Sequence, residues 1–241
     1  MSHPMRRPFP EGEGFFETLR TEKGQVAELT RHMRRALTAS KATGIKIPGE
    51  EEVRTAIAKV IEENPHEIGR LRICFNRAGI VITHDEYVDL TEGGYLTFSA
   101  ITSKAIGEQF KIYPYDSHYE VVDEARAHGF DDAMIFNREN NVTETGLSNL
   151  AFLFGETWFT PPITAGILPG TMRSLAIEKC GVLVRNIHIT EVPQANEIYL
   201  LSSLKIAQPV VQVGEMRFDC GPLSQAFGAL MREKVQYFSV V

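Results

Sequence analysis

The spacing of apolar positions changes period several times along the chain, and each change predicts an element. Gly14 to Arg20, GFFETLR, alternates like a strand, and Lys23-Gly24 turns it toward a second short one at 25–29. The period then lengthens. Met33, Ala36, Leu37 and Ser40 predict one face of a helix from 31 to 43, capped by Thr30 and ended by Gly44. A second helix opens at Pro48 with Val53, Ile57, Val60 and Ile61 inward, and Asn64-Pro65 stops it. Runs at 71–75, 79–83 and 95–100 predict three strands, the first two joined through Asn76-Arg77-Ala78. Residues 101–117 are polar, aromatic and broken by Pro114, the pattern of a connection between domains.

A helix over 119–128, closed by Gly129, starts the second half. Strands at 133–136, 150–154 and 157–160 follow, then a helix behind Pro169-Gly170. Strands at 183–189, 197–201 and 210–213 precede a last helix over 223–238, with Pro222 at its start. The pattern predicts an α/β (α+β) chain of two domains, a smaller one over 1–107 and a larger one over 108–241. The cleft between such domains is a common place for a small-molecule site.

Composition narrows the function classes. Hydrophobic residues at 43% and charged residues at 23% are ordinary for a soluble globular protein. The net charge of −6 comes without a basic block, which argues against nucleic acid as a partner. Cys74, Cys180 and Cys220 lie far apart and make neither a metal spacing nor a disulfide framework, so no metal is expected and a reducing cytoplasm is. The opening MSHPMRRPFPEGEG lacks the apolar core of a secretory signal, and no apolar run reaches membrane-spanning length.

The stretch from Asp131 to Arg173 carries the clearest chemistry. Glu144 sits in a strand-like segment of small and apolar residues. Leu168-Pro169-Gly170-Thr171 opens onto a helical pattern, so its N–H groups and the positive end of the helix dipole are suited to an anion.

These pieces resemble the class IV aminotransferases, the fold-type IV group of pyridoxal-phosphate enzymes that includes aminodeoxychorismate lyase and the branched-chain and D-amino acid aminotransferases. The resemblance is carried by GFFETLR (14–20), HMRRA (32–36), Lys111 and the helix after it, GFDDAMIFN (129–137), VTETGLSN (142–149), TPPITAGILPGTMR (160–173) and LLSSLKIAQPV (200–210). They occur in the family's order and cover most of the chain. The TPP…GILPG…R segment with VTE…SN before it is the specific part.

The resemblance implies an active site between two domains and pyridoxal 5′-phosphate as cofactor. Lys111 stands where the family has the lysine that forms a Schiff base with the cofactor aldehyde and moves the substrate proton. Glu144 matches the carboxylate partner of the pyridine nitrogen, which keeps the ring an electron sink. Arg35 matches the phosphate arginine, with Arg34 as the alternative; a guanidinium offers phosphate a fork of donors. The backbone of Thr171 and Met172 matches the phosphate cradle, and Ser203 a further hydroxyl contact. Tyr115 or Tyr113 stands near the cofactor ring. Glu17, Thr18, Arg173 and Lys205 are candidate substrate contacts.

LSSLKIAQPV is closer to the lyase pattern NSLxGIxPV than to the aminotransferase pattern SGTAAEI. The expected activity is therefore that of an aminodeoxychorismate lyase, eliminating pyruvate to leave 4-aminobenzoate. Transamination of branched-chain or D-amino acids is the alternative, and a non-catalytic cofactor-binding homologue the second. The resemblance further implies a homodimer acting on a small amino compound. Only residues 1–13 precede Gly14, so the small domain is expected to lack the family's edge hairpin.

Overall fold

The computed structural model describes residues 8–90, 92–100 and 110–240. In chain order the elements are β1 (Gly14–Glu22), β2 (Gln25–Ala27), α1 (Leu29–Thr43), α2 (Glu50–Glu63), β3 (Ile68–Asn76), β4 (Gly79–Glu86), β5 (Gly94–Phe98) and β6 (Ile112–Tyr113). Then come α3 (Asp116–Ala127), β7 (Asp132–Phe136), β8 (Val142–Thr145), β9 (Asn149–Phe154), β10 (Thr157–Thr160) and α4 (Thr171–Lys179). β11 (Leu183–Val184), β12 (Glu197–Ser202), β13 (Ile206–Val213), β14 (Met216–Arg217), α5 (Pro222–Lys234) and β15 (Tyr237–Phe238) complete the chain. Strands and helices mix throughout, as expected of an α/β (α+β) protein. No described helix is long and apolar enough to cross a membrane.

The chain forms two compact units. The first combines residues up to Tyr87 with Phe110–Tyr115 and the C-terminal strand; the second holds Val88–Gln109 and Asp116–Gln236. The boundary expected at 107/108 falls outside the described residues. On either side of it membership interleaves: β5 belongs to the second unit, while β6 and β15 return to the first.

The first unit's sheet runs β15-β2-β1-β3-β4, with β6 also on β1, and its described pairs are all antiparallel. β1 is paired with β3 along its whole length, from Gly14↔Asn76 to Glu22↔Ile68. Successive side chains on a strand point to opposite faces. Phe15 and Leu19 therefore join Leu71, Ile73, Phe75 and the inward residues of α1 and α2 in one core, while Phe16, Thr18 and Arg20 lie on the other face. The second unit's sheet runs β11-β10-β9-β12-β13-β5-β7-β8, with β14 on β13. It is mixed: β13·β5, β5·β7 and β10·β11 are parallel. Leu96, Met134, Val142, Phe152, Leu200 and Val213 build its core.

Several elements differ from the pattern reading. Thr30 does not cap α1. The helix begins at Leu29 behind Glu28, whose left-handed backbone (φ 51°) takes the cap position. The buried face is Leu29, His32, Ala36 and Ala39, and Leu37 is exposed. A histidine buried by a charged partner does not register as apolar, so the apolar stripe alone points to a rotated face. The strand expected at 183–189 is only Leu183–Val184. Ile187 and Ile189 bond across to Val142 and Asn140, and a 3₁₀ turn capped by His188 follows. The last helix stops at Lys234; Tyr237 and Phe238 pair with β2 instead.

Gly14 is held to glycine by closeness. A Cβ there would lie 2.2 Å from the Phe75 carbonyl oxygen and 2.2 Å from the Tyr113 hydroxyl. Gly14→Ala is expected to cost about 1–3 kcal/mol by overpacking, read as a lower urea midpoint. An unchanged midpoint would show that β6 has no fixed seat on β1.

Candidate active site

In the second unit the site begins with a buried turn. Asp132, at the start of β7 and 2% exposed, accepts from Thr145 Oγ1 (2.8 Å) and from the N–H groups of Ala133 (2.8 Å), Gly146 (2.9 Å) and Leu147 (3.2 Å). Burial is the largest influence on its carboxyl and raises its pKa; the Lys205 charge pulls the other way, followed by the hydrogen bonds from Thr145, Ala133 and Gly146. Thr145 also closes on Ser148, whose N–H donates to its hydroxyl. The segment joining β8 to β9 is thereby fixed, and with it Glu144 one residue upstream.

Glu144 is 4% exposed. Its carboxylate accepts from Asn149 Nδ2 at 3.1 Å and from the Leu168 N–H at 3.2–3.3 Å. Leu168 lies on a loop that the sequence shapes step by step. Pro161 and Pro162 end β10, since proline cannot donate to a ladder. A 3₁₀ turn at Ile163–Ala165 closes on Gly166, at φ 91°. Gly170 then stands at the N-cap of α4 and, having no side chain, makes no cap bond of its own. N–H groups at a helix start, with the dipole behind them, favour an anion. Beside them Thr171 Oγ1 and Ser203 Oγ are 2.8 Å apart, so two hydroxyls converge at the same helix end. Met172 lies in the same first turn, its side chain buried.

Ser203 sits in the turn between β12 and β13. The residue that re-enters the ladder, Ile206, has φ 59°. A β-branched residue in that region is strained. It stands where the lyase-like pattern has glycine.

Two expected substrate contacts in this unit are engaged or surrounded. Arg173 is 3% exposed and donates twice to the Pro161 carbonyl, at 2.7 and 3.1 Å, so its guanidinium braces the loop before α4. Burial lowers its pKa and the charge of Glu144 opposes that. Lys205 is half-buried; desolvation lowers its pKa, and Asp132 and Asp131 act against the shift.

In the first unit, Lys111 is tied to β1 by the Phe16 N–H, which donates to its carbonyl at 2.8 Å. Its Nζ lies 4.9 Å from the ring centres of both Phe16 and Tyr115, and those rings meet edge to face. Thr18 shares the Phe16 face. Tyr113, the alternative to Tyr115, is instead buried against Phe9 and reaches the Phe75 carbonyl.

Glu17 points to the opposite face, toward α1. It is 2% exposed and holds Arg35 through two hydrogen bonds, Nε–Oε1 at 2.8 Å and Nη2–Oε2 at 2.5 Å. His32 Nδ1 lies 2.6 Å from Oε2. Arg34, the other arginine of that helix turn, is exposed, and Arg35 is the one held by the buried carboxylate. Glu17 is thus a partner of Arg35 where the motif suggested a substrate contact. Burial would raise its pKa, but the Arg35 charge and hydrogen bonds, with His32, bring it to about 2. His32 is shifted down, chiefly by burial.

Sequence reasoning passed over Asp132, Asn149 and His32. All three stand inside quoted motifs, GFDDA, VTETGLSN and HMRRA. Nothing in their spacing says which neighbour's charge they answer.

Acid should weaken the first unit in two stages. His32 binds a proton less readily folded than unfolded, so stability falls once pH drops below about 6.5. Glu17 is ionised down to about 2 when folded and to about 4.5 when unfolded, so further stability is lost below about 4.5. Glu17's share is about 3 kcal/mol at neutral pH. Urea midpoints measured from pH 7.5 to 2.5 should decline as pH falls, and Glu17→Gln should flatten the limb below about 4.5. An equal slope in the variant would refute the assignment.

A model of the amino-transferase class IV family matches residues 14–213. Among curated relatives, an aminodeoxychorismate lyase of Vibrio harveyi is 26% identical over 228 residues, 85% of this chain and 84% of that protein. A branched-chain-amino-acid aminotransferase of Escherichia coli is 30% identical over 121 residues, 46% of this chain and 38% of its own. Among solved structures, a branched-chain aminotransferase from Thermoproteus uzoniensis superposes with a TM-score of 0.83 at 21% identity, covering 92% of this chain and 85% of that one. With two thirds or more of its length inside the family's pattern, the chain belongs to the class IV aminotransferases, enzymes that work with pyridoxal 5′-phosphate.

Proposed function

We propose that this protein is a pyridoxal-phosphate enzyme of the aminodeoxychorismate lyase kind, releasing pyruvate from an amino-substituted ring acid and leaving 4-aminobenzoate. The observation that carries the cofactor assignment is the second unit's half-site. A buried, hydrogen-bonded carboxylate and a helix start with two hydroxyls beside it are joined by one loop. That donor set fits a ring nitrogen at one end and a phosphate at the other. The lyase assignment is supported by the Vibrio harveyi match, which extends along 84% of that enzyme, and by the LSSLKIAQPV segment.

When bound, the cofactor supplies an electron sink for the pair left as a bond at the substrate breaks. The protein's own residues do the rest. Glu144 holds the proton on the ring nitrogen. The N–H groups of Thr171 and Met172, with the hydroxyls of Thr171 and Ser203, bind phosphate oxygens. Arg35, oriented by Glu17, adds a cationic donor to the phosphate. Lys111 is the reacting amine, and its Nζ takes the substrate proton and returns it. Phe16 and Tyr115 shield that amine from water on two sides. Thr18 and Lys205 remain the groups proposed to face substrate. Homodimeric assembly and a cytoplasmic location complete the reading.

Transamination is the second reading, favoured by the 30% identity to the Escherichia coli branched-chain enzyme. The same amine would then shuttle the proton between two carbons. A non-catalytic homologue would have no use for Lys111, Glu144 and Arg35 together.

The purified protein should show a visible cofactor band that borohydride removes. Fluorescence should report 4-aminobenzoate from aminodeoxychorismate, with no glutamate formed from amine donors and 2-oxoglutarate. Lys111→Ala should lose the band and slow turnover by about 10³-fold or more. Glutamate formation at a comparable rate would transfer the assignment to transamination. No turnover across a broad amine panel would favour the non-catalytic homologue.

A further inference from the structure

Asn149 joins three parts of the second unit's half-site: the carboxylate, the loop before α4 and the glycine at that helix's start. It opens β9 and is 4% exposed. Its Nδ2 donates to Glu144 Oε2 at 3.1 Å and to the Leu168 carbonyl at 3.0 Å. The Leu168 N–H returns to the same carboxylate. Its amide oxygen lies under Gly170: a Cβ built on that glycine would be 1.9 Å away. Its backbone pairs with Leu201 of β12, two residues before the Ser203 that meets Thr171.

The geometry points to Asn149 as the positioning residue of this half-site. It sets the carboxylate at Glu144 against the turn at Leu168–Gly170, and Gly170 lacks a side chain because the Asn149 amide fills that place. The inference rests on the reading of Glu144 and Thr171 as cofactor contacts. The chemistry of the amide explains the choice. The two acceptors, a carboxylate and a carbonyl, need a group with two N–H bonds and no charge. Aspartate would bring an acceptor and a like charge to Glu144. Serine has one proton to give, and leucine of similar size none. Gly170 does not require its freedom of φ, which is −66°, so closeness alone is the reason for it.

The test is a double-mutant cycle read on cofactor affinity, not on turnover. Apo protein is titrated with pyridoxal phosphate by fluorescence for the wild type, Asn149→Ala, Gly170→Ala and the double variant. Each single change should weaken binding by about tenfold or more, the worth of a hydrogen bond to a charged group. Gly170→Ala acts by evicting the amide, so the double variant should be no weaker than Asn149→Ala alone. Asn149→Asp keeps the shape and removes the donor. Its visible cofactor band should move as it does in Glu144→Gln, a signature that loss of packing alone would not produce. Circular dichroism identifies any variant that fails to fold, in which case Asn149→Asp decides the matter.

Losses that add in the double variant, or an Asn149→Asp protein with wild-type affinity and band, would overturn the positioning role while leaving the cofactor reading intact. A wild-type protein that takes up no pyridoxal phosphate would overturn both.

Discussion

A carboxylate withdrawn from water has to be met by donors or it gives up its charge. This chain withdraws Glu17, Asp132 and Glu144 almost completely, and much of its local structure answers that demand. Asp132 collects a hydroxyl and three backbone N–H groups, which pins the segment joining β8 to β9. Glu144 collects Asn149 and the Leu168 N–H, which ties that segment to the loop before α4. Glu17 collects Arg35 and His32, which ties α1 to the middle of β1. Each acid joins pieces of chain that apolar packing alone would leave free to slide.

The consequence for chemistry is preorganisation. A site that must hold a ring and a phosphate at a fixed separation needs its contacts set within a fraction of an ångström. In the proposed site, secondary structure supplies the coarse placement: α4 directs its first N–H groups, and β12 and β13 hold the Ser203 turn. Buried polar contacts supply the fine placement. The strained backbone at Ile206 and the crowded approach at Gly170 lie beside that same turn and loop, where local strain is tolerated because the surroundings over-determine it.

The two arginines expected to reach ligands illustrate how far a motif can go. Both Arg35 and Arg173 are where their motifs put them along the chain. Arg173 spends its guanidinium on the Pro161 carbonyl and so acts as a brace. Arg35 is held on one edge by Glu17, which fixes the orientation of its guanidinium. A sequence motif names a residue type at a position. Which atom of it faces outward is decided by what competes for its donors.

The order of elements, the strand and helix character of most of them, and the family were legible from the chain. Local periodicity, prolines, glycines and the VTE…SN and GILPG…R spacings are properties of neighbours in sequence. What the chain alone did not disclose were relations between distant residues. The buried face of α1 departs from its apolar periodicity because His32 is buried by Glu17, fifteen positions away in another element. The last helix ends early and β11 is short because β2 and the Asn140–Val142 segment take up the backbone groups concerned. Asn149 stayed silent because its meaning lies in Glu144, Leu168 and Gly170 converging on one amide. Convergence of that kind is a product of folding: three-dimensional closeness, not adjacency, determines which polar groups must satisfy one another.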